Sequence, residues 1–274
     1  MKNVATAIDL NLIKALELSE VQYWKKYYRE TAPLRSYASV IGGGMAFAVP
    51  DLPILAMNRV VGLGLDSEIS EEELHAILDF YRKAGTERFF LQLSPLVLNE
   101  RTNSILQSNG FRHYNNWTKH FRPLPEDSPT YRGDLQTEEL LPEDASQFGE
   151  LICSCFHWNY PRLDLWLNQS IGAPGYKHYA VRINQEIAGI SALHIDGGYA
   201  SMAFAATLPE YRGLGIQQQL LHKRIEVARE LGCSYLVSET AEDTPTKKVT
   251  SARNMRKLGF EPAYQRQNWL FEFL

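Results

Sequence analysis

The sequence predicts an α/β fold (α+β, with a mixed sheet) built from two tandem units of the same kind. Three observations carry this reading. Residues 199–232 run as a strand of small and aromatic residues, a glycine loop and a helix with Ile216, Leu220, Leu221, Ile225 and Ala228 at helical spacing. The same order of elements then recurs at a nearly constant offset. Gly85 and Gly232, each before a strand, are 147 residues apart, and the Gly110-Phe111 and Gly259-Phe260 pairs are 149 apart. Trp117 and Trp269 both fall in the strand after Gly-Phe, so a duplicated unit is expected. Between the copies, Pro123, Pro125, Asp127, Ser128 and Pro129 form a short polar break, the best boundary in the chain. The expected division is a first unit at 1–124, a linker at 125–134 and a second unit at 135–274.

In chain order, residues 8–30 read as a helix ended by Pro33, with Asp9 suited to its positive end. Residues 36–49 have strand composition around Gly42-Gly43-Gly44, expected as a bulge or a close backbone approach. Residues 54–65 are a further strand candidate. Residues 67–84 form a helix, with Ser70 and Glu73 as a capping box. A strand at 87–93, a helix from Pro95 to 109 and a strand at 111–122 complete the first unit. The second opens with a strand near 135–141 and helices at 142–156 and 161–170. A hairpin follows at 176–195, turning at Asn184-Gln185. Gly197-Gly198 turns the chain into the strand before the glycine loop. A strand at 235–240, a helix at 247–258 and a strand at 264–273 close the chain.

Composition bounds the function. With 274 residues, 45% hydrophobic and 22% charged residues and a net charge of −4, this is an ordinary globular composition large enough for two domains. Mixed charge gives no footprint for nucleic acid or a membrane surface. No apolar run is long enough to span a bilayer, and the first ten residues lack a signal-peptide core. A cytoplasmic location is the expectation. Cys153, Cys155 and Cys233 are odd in number and lack zinc or disulfide spacing, so reduced thiols and no metal are expected.

The loop Leu208-Pro209-Glu210-Tyr211-Arg212-Gly213-Leu214-Gly215-Ile216-Gln217 is the chemical centre of the sequence. Glycines permit unusual dihedrals and close ligand approach, and the first amides of the following helix lack internal partners. Together they form an anion site suited to a pyrophosphate. A Walker loop would need Gly-Lys-Ser/Thr where Gly215-Ile216-Gln217 stands. A Rossmann loop would open an early strand-turn-helix unit, and this one lies in the last quarter of the chain. The string resembles motif A of the GCN5-related N-acetyltransferases (GNAT), Gln/Arg-x-x-Gly-x-Gly/Ala. Arg212 and Gly215 fill the first two places, and Gln217 stands where a small residue is usual. The resemblance covers about residues 131–274.

That resemblance implies acetyl-CoA, or another acyl-CoA, as donor and a small-molecule amine as acceptor that attacks the thioester directly. The positions matching the pyrophosphate loop are Arg212, Gly213, Leu214, Gly215, Ile216 and Gln217. Ala206, Thr207 and Leu208 match the strand that aligns the pantetheine and carbonyl through main-chain groups. Glu239, at the end of the strand after the loop helix, falls where a base would face the cleft, with a solvated strand-end carboxylate as the alternative. The family's thiolate-protonating tyrosine position holds Met255, and its usual asparagine position holds Lys248. Tyr264 or water is then expected to supply that proton. Ser251 and Asn254, three apart on one helix face, are expected to contact the coenzyme arm. Lys247, Lys248, Arg253, Arg256 and Lys257 offer contacts to the coenzyme's 3′-phosphate, with a plain solvated basic face as the alternative. In the first unit the matching loop, Gly64-Leu65-Asp66-Ser67-Glu68, carries acids that would repel a pyrophosphate. The first unit is therefore expected to have no coenzyme site and to act as scaffold or as part of the acceptor site. Aromatic residues at 156–180, among them Trp158, Tyr160, Trp166 and Tyr176, point to an apolar or aromatic acceptor. A non-catalytic acyl-CoA-binding module is the alternative function, and a homodimer is among the arrangements the sequence allows.

Overall fold

The computed structural model describes residues 10–28, 33–124 and 135–274, so the expected linker at 125–134 lies outside the described residues. The first half begins with helix α1 (Leu10–Lys25), followed by strands β1 (Tyr37–Ile41), β2 (Gly44–Ala48) and β3 (Arg59–Val61). Helix α2 (Glu71–Ala84), strand β4 (Arg88–Leu93), helix α3 (Glu100–Ser108) and strand β5 (Arg112–Pro123) complete it. The second half contains β6 (Thr137–Glu139), α4 (Ala145–Phe156), α5 (Leu163–Asn168), β7 (Tyr176–Ile183), β8 (Glu186–Asp196) and β9 (Tyr199–Thr207). It ends with α6 (Ile216–Glu230), β10 (Tyr235–Ala241), α7 (Thr250–Lys257) and β11 (Glu261–Glu272).

Among the described residues, eleven strands form one mixed sheet, in the order β1-β2-β3-β4-β11-β5-β10-β9-β8-β7-β6. Its centre is a reciprocal strand exchange. In the first half, β4 and β5 are joined through α3 but stand one strand apart, and β11 from the second half fills the gap, antiparallel to both. In the second half, β10 and β11 are joined through α7 and stand one strand apart, with β5 antiparallel between them. Each half thus completes its sheet with the last strand of the other.

Alternation along the strands sorts the helices onto two faces. Met45, Phe47 and Val49 pack in the core shared with α1, α4 and α5. Ala46 and Ala48 face the core under α2 and α3. In the second half, Leu220, Ile225 and Met255 bring α6 and α7 onto Val181, Leu193 and Leu236. Helix α1 crosses the middle of the sheet and is buried well beyond a single stripe, including Glu17 and Glu20.

Three expectations are corrected. The glycine triplet is mainly a turn: Ile41 pairs with Gly44, leaving Gly42 and Gly43 at φ 56° and 76° as a two-residue hairpin loop. Gly44 does meet the backbone, since a Cβ there would lie 2.8 Å from Leu63 N. The strand expected at 54–65 shrinks to three residues. Asn58 accepts from Val49 N (2.7 Å) and donates to Leu52 O (2.7 Å), holding the preceding segment as a turn. The helix expected from Pro95 starts at Glu100, where Asn99 caps it by accepting from Thr102 N at 2.8 Å.

Candidate functional site

Strands β9 and β10 run parallel and pair only at Tyr235↔Tyr199, Leu236↔Ala200 and Val237↔Ser201, then diverge. On its other side β9 has a bulge, where the register to β8 jumps between Ile190↔Ala206 and Ala192↔Ala203. Phe204 sits in that bulge at φ 42°, a strained conformation for an aromatic residue and one that re-aims the strand at this point.

The diverging strands open a cleft of about 580 Å³ at the start of α6. Gly213 and Gly215 have φ of 85° and 82°, the left-handed region that suits glycine. Gly215 caps α6 without any side chain bonded to the helix's first amides. In the first half, the start of α2 is occupied by its own side chains. Glu73 N donates to Ser70 Oγ (3.2 Å), and Ser70 N donates to Glu73 Oε2 (2.8 Å). A Cβ at Gly64 would lie 2.8 Å from Val97 Cγ1, so that loop is packed against apolar core.

Of the residues expected at a coenzyme site, Ala206, Thr207, Arg212, Gly213, Gly215 and Ile216 line the cleft. Gln217, Ser251 and Asn254 line it too. Two do not. Leu214 is an exposed side chain on the loop, and Leu208 N already donates to Ala188 O at 2.9 Å. The long Gln217 side chain is held by Asn254, whose Nδ2 donates to its Oε1 at 2.7 Å.

A second cavity, about 360 Å³, lies beside the first, and Phe156 lines both. Ala203 and Phe204 of β9 face the second cavity, and Ala205 and Ala206 face the first. The polar side of the second cavity is an ion cluster shared by the two halves. Glu17 and Glu20 come from α1, Arg59 from β3, Lys119 from β5, Glu239 from β10 and Arg266 from β11. Arg266 donates to Glu20 Oε2 (2.7 Å), Glu17 Oε2 (3.2 Å) and Glu239. Arg59 donates to Glu20 Oε1 (2.8 Å) and to Gln92 Oε1 (2.9 Å). Lys119 donates to Glu20 and, at 3.4 Å, to Glu239 Oε2.

Burial pushes the Glu239 carboxyl above its ordinary range, against the pull of Arg266, and the neighbouring Glu20 adds to the rise. Burial also opposes the charge on Glu20. There Arg266, Lys119 and Arg59 together prevail and hold it well below the usual carboxylate range. Glu239 is therefore a half-buried, partnered carboxylate in the second cavity, not a solvated strand end. Tyr264 lines neither cavity. Its hydroxyl donates to Glu17 Oε1 at 2.5 Å, and burial, with Glu17 beside it, pushes its pKa well above the ordinary value.

The other side chains with chemistry to offer are dispersed. Met255 is buried on the inner face of α7, while Arg256 pairs with Asp243. His194 packs on Tyr176 and Tyr23, and burial, with Lys26 nearby, depresses it to about 4. Trp166 and Tyr176 are core residues, whereas Trp158 lines the second cavity. Cys155 lines the first cleft, its thiol pushed up by burial. Sequence reasoning missed Glu17, Glu20, Arg59, Lys119 and Arg266. A signal existed for two of them: Glu17 and Glu20 fall in phase with Ile13, Leu16, Tyr23 and Trp24, acids on an otherwise apolar helix face.

Among the described residues no helix is long and apolar enough to cross a membrane, and no group of three or more His, Cys, Asp or Glu is placed to hold a metal. Residues 145–260 match the model of the acetyltransferase (GNAT) family. No curated protein matches the chain. Three solved structures share the fold across nearly the whole chain. One is a GCN5-related N-acetyltransferase from Kribbella flavida (13% identity, TM-score 0.66, 97% of this chain and 96% of that one). The second is a GCN5-related N-acetyltransferase from Sphaerobacter thermophilus (13%, 0.61, 93% and 85%). The third is a tandem GNAT protein from the clavulanic acid biosynthesis pathway (14%, 0.58, 98% and 96%).

Proposed function

We propose that this chain, a member of the GNAT superfamily through its second half, transfers an acetyl group from acetyl-CoA to the amine of a small-molecule acceptor. The observation that carries the reading is the start of α6, whose amides no side chain caps, opening onto a cleft that lies beside a second cavity lined by a carboxylate. The first amides of α6 would receive the pyrophosphate, with Arg212 adjacent, each charge-assisted bond contributing roughly 1.5–3 kcal/mol. Main-chain groups of Ala206 and Thr207 would align the pantetheine, and Ser251 and Asn254 would contact the same arm from α7.

The acceptor would enter through the second cavity. An alkylamine with a pKa of about 10.4 is protonated at neutral pH, so a base must take a proton before nitrogen can attack. Glu239 would take that proton and hold it. The nitrogen then bonds to the thioester carbon, the carbon–sulfur bond breaks, the thiol leaves as thiolate, and the second proton of the attacking nitrogen passes to that thiolate or to water. With a pKa near 8.5 for a thiol, this leaving group does not require an acid at neutral pH. The chain then needs no tyrosine at Met255, and Tyr264 serves to position Glu17.

Thermal melting with acetyl-CoA, with ATP as control and Gly215→Asp as the negative variant, tests the donor. Binding at 100 times the dissociation constant should stabilise the protein by about 2.7 kcal/mol. Release of free thiol on adding amines, above the hydrolysis blank, then tests transfer. A shift without thiol release across broad amine pools would leave a non-catalytic acyl-CoA-binding module, the reading that Met255 favours. Absence of any shift at millimolar acetyl-CoA would remove the reading altogether.

A further inference from the structure

We propose that the acceptor is a small primary amine carried on an aromatic body, and that the first half of the chain is an indispensable wall of its site. The inference rests on the acyl-transfer reading above and concerns the second cavity. At about 360 Å³ the cavity is at the small end of ligand pockets, which span roughly 300–1,000 Å³. Six aromatic side chains line it. Tyr23 and Trp24 come from α1 and Trp117 from β5, facing Phe156, Trp158 and Phe204 of the second half. Flat rings of this kind favour a flat apolar guest through stacked and edge contacts.

The sign of the guest's polar end follows from which charges face the cavity. Glu20 and Glu239 are 12% and 15% exposed at their side chains, whereas Arg59 and Lys119 are 3% and 2% exposed. The cations stand behind the carboxylates. Arg59 is further withdrawn between Trp24 and Trp117, its guanidinium 4.7 and 5.9 Å from the ring centres. An entering group therefore meets carboxylate oxygen first, which an ammonium satisfies and a carboxylate would not. Arg266 and Glu17, packed behind on β11 and α1, complete the cluster without reaching the cavity. Glu20, Arg59, Lys119, Trp24 and Trp117 all belong to the first half, so that half supplies three of the four charged side chains and half of the aromatic wall.

The test is a titration of the full chain followed by tryptophan fluorescence, since three of its five tryptophans line the cavity. The probes are 2-phenylethylamine, 2-phenylethanol, phenylacetate and spermidine. The aromatic amine should saturate the signal and bind at least about tenfold more tightly than the other three. Trp24→Leu should weaken it about fivefold, and Glu239→Gln about tenfold, with the acetyl-CoA melting shift unchanged in both. If Trp24→Leu does not fold, Trp117→Leu reads the same wall. Binding of phenylacetate or spermidine as tight as that of phenylethylamine, or no saturable binding of the aromatic amine in the millimolar range, overturns the proposal. An intact acetyl-CoA shift beside either result leaves acyl transfer standing. Absence of that shift overturns acyl transfer, while the amine titration still reads the cavity.

Discussion

Asn254 Nδ2 donates to Gln217 Oε1 at 2.7 Å, fastening the first turn of α6 to α7 at the mouth of the cleft. Gln217 stands where the family motif carries a small residue, and its length would obstruct the anion site if it were loose. Tethered to α7, the side chain lies along the rim. A double-mutant cycle of Gln217→Ala and Asn254→Ala in urea unfolding should give a coupling energy of about 0.5–1.5 kcal/mol. Additive single effects would show that the tether contributes nothing.

Arg266 is fully buried and holds three carboxylates, Glu17, Glu20 and Glu239. Arg266→Met should destabilise the chain by about 3–5 kcal/mol, because the acids are left buried with too little positive charge. With Arg266 gone, burial would raise the folded-state pKa values of Glu20 and Glu239 above the unfolded ones, so protonation would favour the folded state and part of the loss would return as pH falls toward 5. Melting of the variant at pH 7.5 and 5.5 measures this. A deficit that widens at the lower pH would contradict the charge argument.

Glu239 should set the acid limb of the turnover profile. Burial and Glu20 raise its pKa, and a base acts only when ionised, so kcat should rise with pH through a value above that of an ordinary carboxylate. Glu239→Gln should lower kcat by about 10²–10⁴ and remove that limb. An unchanged limb in the variant would assign the proton elsewhere.

Buried histidines should make the fold acid-sensitive. Burial depresses His178 to about 3, and His120 and His194 to about 4, with Arg256 contributing at His120 and Lys26 at His194. With folded values below the unfolded 6.5, the unfolded chain takes up protons first. Stability is then full above pH 6.5 and is lost as pH falls toward 4, by up to about 1.4 kcal/mol per unit for each histidine. Urea midpoints at pH 7 and 5 should differ by a few kcal/mol in stability. Equal midpoints would refute the assignment.

We propose the unit division at 124 and 135 as a boundary in sequence that is not a boundary in folding. Residues 1–124 alone lack the strand that separates β4 from β5, and 135–274 alone lack the one between β10 and β11. Neither piece should melt cooperatively by itself, and co-expression should restore a joint transition. Cooperative unfolding of either isolated piece would show that the exchange is dispensable.

Much of the local structure was readable in the residues. The capping box at Ser70 and Glu73, the Asn184-Gln185 turn and the helix after Gly215 arise from side chains and backbones a few positions apart, so sequence spacing is enough to specify them. Boundaries failed where a side chain competed with regular pairing, as Asn58 does before β3. The cleft followed from one contiguous motif, and all but Leu208 and Leu214 of the residues expected there line it. The second cavity did not follow, because Glu20, Arg59, Lys119 and Glu239 come from four separate elements.

The sequence by itself determined the duplicated order of elements, the glycine loop at the start of α6 and the acids that close its counterpart on α2. Only the tertiary structure decided that each half finishes the other's sheet, that α1 carries Glu17 and Glu20 into the centre, and that Tyr264 turns to Glu17. The reason is physical. Turns and caps are set by short-range bonds along the chain, whereas strand exchange and a buried ion cluster depend on which distant groups can satisfy one another away from water.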